Sequence, residues 1–210
     1  MIQEGSVYGR ESSFHEQAEG LAAMTLLCPL PDENGWVSTL NDRGYMSLSF
    51  DPYTQEFLQL CQGQPGLAVL EAGAAYGHAS LAALKAGAKV TANDMDPRHL
   101  AFLEQRTPLP LRPNLKLCPG ELPQDVDCLP ESYDAILCAR MLHFLTGEQL
   151  KRCLEKFYSW LKTGGRAFLI AETPYLGCYA DFIPVYEERK RQGRTWPGLL
   201  EDTTAFRKIR

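Results

Sequence analysis

The chain has 210 residues, enough for one domain built around one core. Hydrophobic residues make up 45% and charged residues 22%, and the formal net charge of -5 argues against nucleic acid as the main partner. No run approaches the roughly 20 apolar residues of a membrane span, and Met1-Ile2-Gln3-Glu4-Gly5 lacks the basic and apolar regions of a signal peptide.

The first 60 or so residues read as irregular. Ser13 to Leu27 fits a helix, with Ser13 as cap and Glu16 three residues on, and Pro29 to Gly35 is rich in turn formers. Pro52 to Gln62 fits a second helix, with Asp51 as N-cap, Pro52 in the first turn and Phe57, Leu58 and Cys61 on one face. From Gly66 the rhythm becomes regular. Strands are expected at Leu67–Glu71, Ala88–Asn93, Leu115–Cys118, Tyr133–Ala139 and Arg166–Glu172. Helices are expected between them at Gly77–Ala86, at Pro97–Arg106 behind Asp96, and at Gly147–Leu161, where Leu150, Leu154, Phe157 and Leu161 share a face. A last helix is expected over Phe182–Arg191, followed by a Trp196-Pro197-Gly198 turn.

Alternating strands and helices predict an α/β Rossmann-like three-layer sandwich, a mostly parallel sheet with helices on both faces. The expected division is an N-terminal helical segment and lid over 1–62, a cofactor-binding core over 63–174 and a helical tail over 175–210, forming one domain. The tail shows no strand pair, so the sheet is expected to lack its last strands, and the unprotected edge favours a homodimer. The seven cysteines are odd in number and none is in Cys-x-x-Cys spacing. They predict neither disulfides nor a metal site, but core thiols of a cytoplasmic protein.

Ligands of such a sheet bind at the C-terminal ends of its strands. The first strand runs into Glu71-Ala72-Gly73-Ala74-Ala75-Tyr76-Gly77. Gly73 permits a sharp turn and close backbone approach to a ligand, and Gly77 permits close packing of the next helix. The second strand is followed by Asp94, 21 residues after Gly73, where an acid reaches the hydroxyls of a bound ribose. The pair indicates an adenosine-type cofactor. A carboxylate at Glu71 repels a dinucleotide pyrophosphate but suits a cofactor with a free amino group. A nicotinamide oxidoreductase is the competing enzyme reading, since Tyr186 and Lys190 stand four apart on the last helix. A catalytically inactive binding module is the competing non-enzyme reading.

Further along come Gly120-Glu121 after the third strand, Leu142-His143 after the fourth, and Leu161-Lys162-Thr163-Gly164-Gly165 before the fifth. In this order the motifs resemble those of the class I S-adenosylmethionine-dependent methyltransferases, over roughly residues 66 to 174. Ala75 stands for a glycine of that pattern and Glu121 for an aspartate. The resemblance implies S-adenosylmethionine as cofactor, S-adenosylhomocysteine as product and methyl transfer as the reaction. It implies that Glu71, Gly73, Ala74 and Gly77 cradle the methionine part, with Ala139 and Arg140 beneath it. Asp94 would bind the ribose and Met95 pack on the adenine, while Glu121 and the Leu122 amide would meet the adenine edge. Asn41 to Phe50 would form a lid, with Arg43 and Tyr45 touching the cofactor. His143, Glu172 and Tyr175 are the candidates for a catalytic base, with His143 and Tyr175 put forward. The acceptor is expected to be a small molecule, with neither nucleic acid nor membrane as partner.

Overall fold

The computed structural model describes residues 29–199. The helix expected over Ser13–Leu27 lies outside them. The first elements are two short strands, β1 (Trp36–Ser38) and β2 (Tyr45–Ser47), paired antiparallel with Trp36 opposite Ser47. The stretch expected to be irregular is thus a hairpin. Its ends are closed by Thr39, whose amide donates to the Gly44 carbonyl and whose hydroxyl also bonds Gly44. Three-residue strands are too short for alternation to reveal.

Helix α1 (Pro52–Gly63) starts as expected. Asp51 accepts from the amides of Tyr53 and Thr54, the bonding of an N-cap that contributes about 1 kcal/mol. Then follow β3 (Ala68–Ala72), α2 (His78–Lys85), β4 (Lys89–Asp94), α3 (Pro97–Arg106), β5 (Leu115–Pro119), β6 (Tyr133–Ala139), α4 (Gly147–Trp160), β7 (Leu161–Ile170) and α5 (Ile183–Arg191). The sheet order is β5-β4-β3-β6-β7, and every pair is parallel. Successive strand residues face opposite layers. Val69, Val90, Ala135 and Leu137 pack against α1, α2 and α3, through Phe57, Ala83 and Leu103 among others. Leu70, Ile136 and Cys138 pack on the other side against Cys153, Phe157 and Trp160 of α4. These are the three layers the sequence predicts.

Two boundaries differ from expectation. Helix α4 stops at Trp160, and its buried face is Gly147, Cys153, Phe157 and Trp160, while Leu154 is 38% exposed. Phe157 keeps its expected place and Leu150 and Leu161 pack at the rim of this core, while Cys153 and Trp160 take the central positions in place of Leu154. The fifth strand of the sheet begins at Leu161 rather than Arg166, but Tyr133 pairs with Leu161 and Ala135 already with Arg166. Lys162-Thr163-Gly164-Gly165 therefore bulges out of the ladder, with Gly164 at φ +81. No strand follows Ile170 among the described residues, so β7 and β5 are the outer strands. Among them, too, no helix is long and apolar enough to cross a membrane.

Candidate cofactor site

Because every strand of the sheet is parallel, β3, β4, β5 and β6 end on one edge, and the strand order reverses between β3 and β6. That is the topological switch point, and the Glu71–Gly77 turn lies there. Gly73 has φ +73, and a Cβ on it would come within 2.8 Å of Met141. The turn therefore runs tightly against the segment leaving β6. Ala75 adopts φ +46, a left-handed conformation that costs a non-glycine residue about 1 kcal/mol. What holds it there is Asp94: the Ala75 amide donates to Asp94 Oδ2 at 2.7 Å. Gly77, also left-handed at φ +69, has another duty. A Cβ there would lie 2.6 Å from Leu103, so this glycine brings the start of α2 against α3 rather than against the strand.

Asp94 is the hub of the site. Its Oδ1 accepts from the Asp96 amide at 2.9 Å and from His99 Nδ1 at 3.0 Å. A carboxylate offers about four lone-pair positions. Three are used within the protein, and one remains for a ligand hydroxyl. Met95, next in sequence, leaves 37% of its surface exposed at this edge, an apolar platform beside the acid. Asn93 is buried and donates to the carbonyls of Cys118 and Gly120 at 2.9 Å each, which pins the turn after β5 to β4. Glu121 then sits half-buried at the head of that turn, its amide bonded to Asp125, and Leu122 is buried in the core.

Glu71 does not open to solvent. Its carboxyl accepts a short hydrogen bond from the Ser80 hydroxyl of α2 and is 7% exposed. Burial pushes its pKa up to about 7, against the hydrogen bond from Ser80 and with help from the nearby Asp94 charge. Ala74 is buried and its amide donates to the Asn93 carbonyl at 2.7 Å. Ala139 is half-buried at the end of β6. Arg140 follows at φ +58, with its guanidinium 3.8 Å from Asp51 and 5.5 Å from the centre of the Trp36 ring.

The hairpin lies over this edge. Tyr76 donates to the Ser38 carbonyl at 2.8 Å, and at the hairpin's other end Gly44 meets the Phe144 ring. Tyr45 is 48% exposed and Arg43 is exposed near the hairpin tip. His143 is half-buried in a short 3-10 turn, Leu142–Phe144, its ring against that of Phe144. Tyr175 is on the tail, where its hydroxyl makes a short hydrogen bond to Glu187 and its ring meets Tyr186 edge-on. Tyr186 and Lys190 do share a face of α5. However, the lysine lies over the ring, 5.3 Å from its centre, and pairs with Glu187 at 3.3 Å. That is a surface cation–π contact and not a phenol–ammonium catalytic pair. Sequence reasoning missed Asn93 and His99. The available signal for His99 was a polar residue on the apolar face of α3, beside Leu100 and Leu103.

A parallel sheet whose first turn is hydrogen-bonded to the acid ending the neighbouring strand has the arrangement in which open α/β sheets bind nucleoside cofactors. Residues 69–165, just under half of the chain, match the family described as "Methyltransferase domain". The match spans the core from β3 to the start of β7, and the methyltransferases of this class use S-adenosylmethionine as cofactor. No curated protein sequence matches the chain significantly. Among solved structures it is similar to a TehB-like SAM-dependent methyltransferase from Corynebacterium glutamicum, with 20% identity and a TM-score of 0.48 over 74% of this chain and 69% of that one. It is also similar to the glycopeptide N-methyltransferase MtfA, with 19% identity and a TM-score of 0.47 over 71% of this chain and 58% of that one. A third is a SAM-dependent methyltransferase from Aquifex aeolicus, with 23% identity and a TM-score of 0.43 over 53% and 63%. The chain spans less than two thirds of the latter two.

Proposed function

We propose that this protein is an enzyme that transfers a methyl group from S-adenosylmethionine to a small-molecule acceptor in the cytoplasm. The observation that carries the reading is the closed link between glycine turn and acid, Ala75 N–H to Asp94 Oδ2, with one carboxylate position to spare beside the exposed Met95. When bound, S-adenosylmethionine supplies an electrophilic methyl group, whose bond to sulfur breaks as the acceptor's lone pair attacks, leaving S-adenosylhomocysteine. The protein's work is then alignment and exclusion of water. Asp94 would bind the ribose through its one spare position, Met95 would pack on the adenine, and Glu121 with the Leu122 amide would meet its edge. The backbone of Gly73, Ala74 and Gly77, with Ala139 and Arg140 opposite, holds the methionine part. Glu71 lies beneath that part as a buried acid. Arg43 and Tyr45 reach the cofactor from the hairpin. His143 is the base for an acceptor that must lose a proton early, and Tyr175, bonded to Glu187, is the second candidate.

The acidic net charge supports a small acceptor over nucleic acid. The free thiols among the described residues support a reducing compartment. The edge of β7, which no strand covers among the described residues, supports a homodimer.

Thermal unfolding with S-adenosylhomocysteine, S-adenosylmethionine, NAD and NADP tests the cofactor. A ligand specific to the native state stabilises it by about 2.7 kcal/mol at a hundredfold excess over its Kd. The expected result is a shift with the two adenosyl sulfur compounds alone. A shift with a nicotinamide cofactor alone would overturn the reading. Binding without turnover across a panel of small amines, thiols and carboxylates would favour the inactive binding module.

A further inference from the structure

His99 belongs to no part of the site described by the family's motifs, yet it is 1% exposed and fully engaged. Its Nε2 is 3.0 Å from the Leu40 backbone amide, a group that can only donate. Nε2 must therefore carry the lone pair, and the neutral ring carries its proton on Nδ1. That proton faces Asp94 Oδ1 at 3.0 Å. The backbone of the hairpin thus sets the tautomer that donates to the acid of the site.

The surrounding contacts are consistent with one junction. Leu40 follows β1, and its carbonyl accepts from Arg98 Nη2 at 2.9 Å, while Arg98 is clamped by Asp96. The Ser38 carbonyl accepts from Tyr76, whose ring stands edge-on to His99 at 4.9 Å. Val37, Tyr76 and Phe102 form a small apolar cluster of their own, joined by Leu40 and Met46. Three polar contacts and this cluster hold the segment from Val37 to Leu40 against α3 and the Glu71–Gly77 turn. Among those polar contacts, the one through His99 leads on to Asp94.

We propose that His99 is a positioning residue that couples docking of the β1–β2 hairpin to the orientation of Asp94, so that the hairpin acts as a strap over the ribose end of the site. The ribose assignment of Asp94 rests on the function proposed above. Linkage makes the coupling reciprocal: a ligand that favours the docked arrangement of Asp94 also favours the docked hairpin.

Two substitutions divide the ring's two bonds. His99→Asn keeps an amide donor near the Nδ1 position and loses the acceptor for Leu40. His99→Gln places its amide oxygen near the Nε2 position and loses the donor to Asp94. Amide hydrogen exchange and S-adenosylhomocysteine titration are measured on the wild-type chain and both variants. In His99→Asn the Leu40 amide should exchange faster, while that of Ala75, which reports on Asp94, stays near wild type. In His99→Gln the pattern should reverse. Each variant should weaken S-adenosylhomocysteine binding by roughly two- to tenfold, the worth of one hydrogen bond. In the wild type, ligand should slow exchange at Leu40, and in His99→Asn it should not.

Equal acceleration at both amides in both variants would mean that His99 only fills space, and would overturn the proposal. So would unchanged affinity together with unchanged Leu40 exchange in His99→Asn. If the wild-type chain binds no S-adenosylhomocysteine, the cofactor reading fails. The exchange comparison made without ligand then still decides whether His99 couples hairpin and acid.

Discussion

Replacing Glu71 by glutamine should remove a pH dependence that the wild-type fold carries. The Glu71 carboxyl is buried between β3 and α2, and burial raises its pKa from 4.5 to about 7. A group whose folded pKa lies above its unfolded value favours folding most when protonated. Its contribution is complete below about pH 4.5, declines as pH rises toward 7, and is gone above it. Moving from 4.5 to about 7, at about 1.36 kcal/mol for each tenfold change in proton affinity, amounts to about 3 kcal/mol. Other titrating groups alter both proteins alike, so the difference between them isolates Glu71. Glutamine keeps the shape and still accepts from Ser80 without charging. Urea unfolding of wild type and Glu71→Gln at pH 5 and pH 8 is the assay. The variant should gain on the wild type between the two pH values, by up to about 3 kcal/mol. Parallel stability curves would refute the reasoning, because they would mean that the carboxyl ionises in the fold as readily as in the unfolded chain.

Asp94→Asn should retain the fold with a loss of about 1–3 kcal/mol, because an amide cannot accept from all three donors that face it, and should reduce S-adenosylhomocysteine affinity at least tenfold by calorimetry. Gly77→Ala should cost about 3 kcal/mol in urea unfolding, combining a left-handed φ with a Cβ 2.6 Å from Leu103. Gly147→Ala places a Cβ 1.8 Å from the Trp196 indole, so tryptophan fluorescence should shift to the red as the tail leaves the start of α4, with little change in overall stability.

Most of the core was legible in the sequence because its strands are buried on both faces and its helices carry local stop and start signals. Asp51 and Asp96 cap their helices as their positions before a proline predict, and β6 spans the residues that its apolar run marks out. The glycine turn, Asp94 and Glu121 could likewise be placed at one edge from order and spacing alone. Period and punctuation are local properties, and local properties survive in a one-dimensional string. What the string does not contain is which distant backbone supplies a partner. The β1–β2 hairpin owes its place to carbonyls and amides that meet Tyr76, Arg98 and His99, none of them near in sequence. The shift of the α4 face to Trp160, and the burial that raises Glu71, depend on how layers close over one another. The sequence by itself determined the order of the elements from α1 onward and the residue types at the edge of the sheet. Only the tertiary structure decided that the Asp94 carboxylate joins Ala75, Asp96 and His99, and that His99 links it to the hairpin, because both depend on hydrogen bonds closed across the chain.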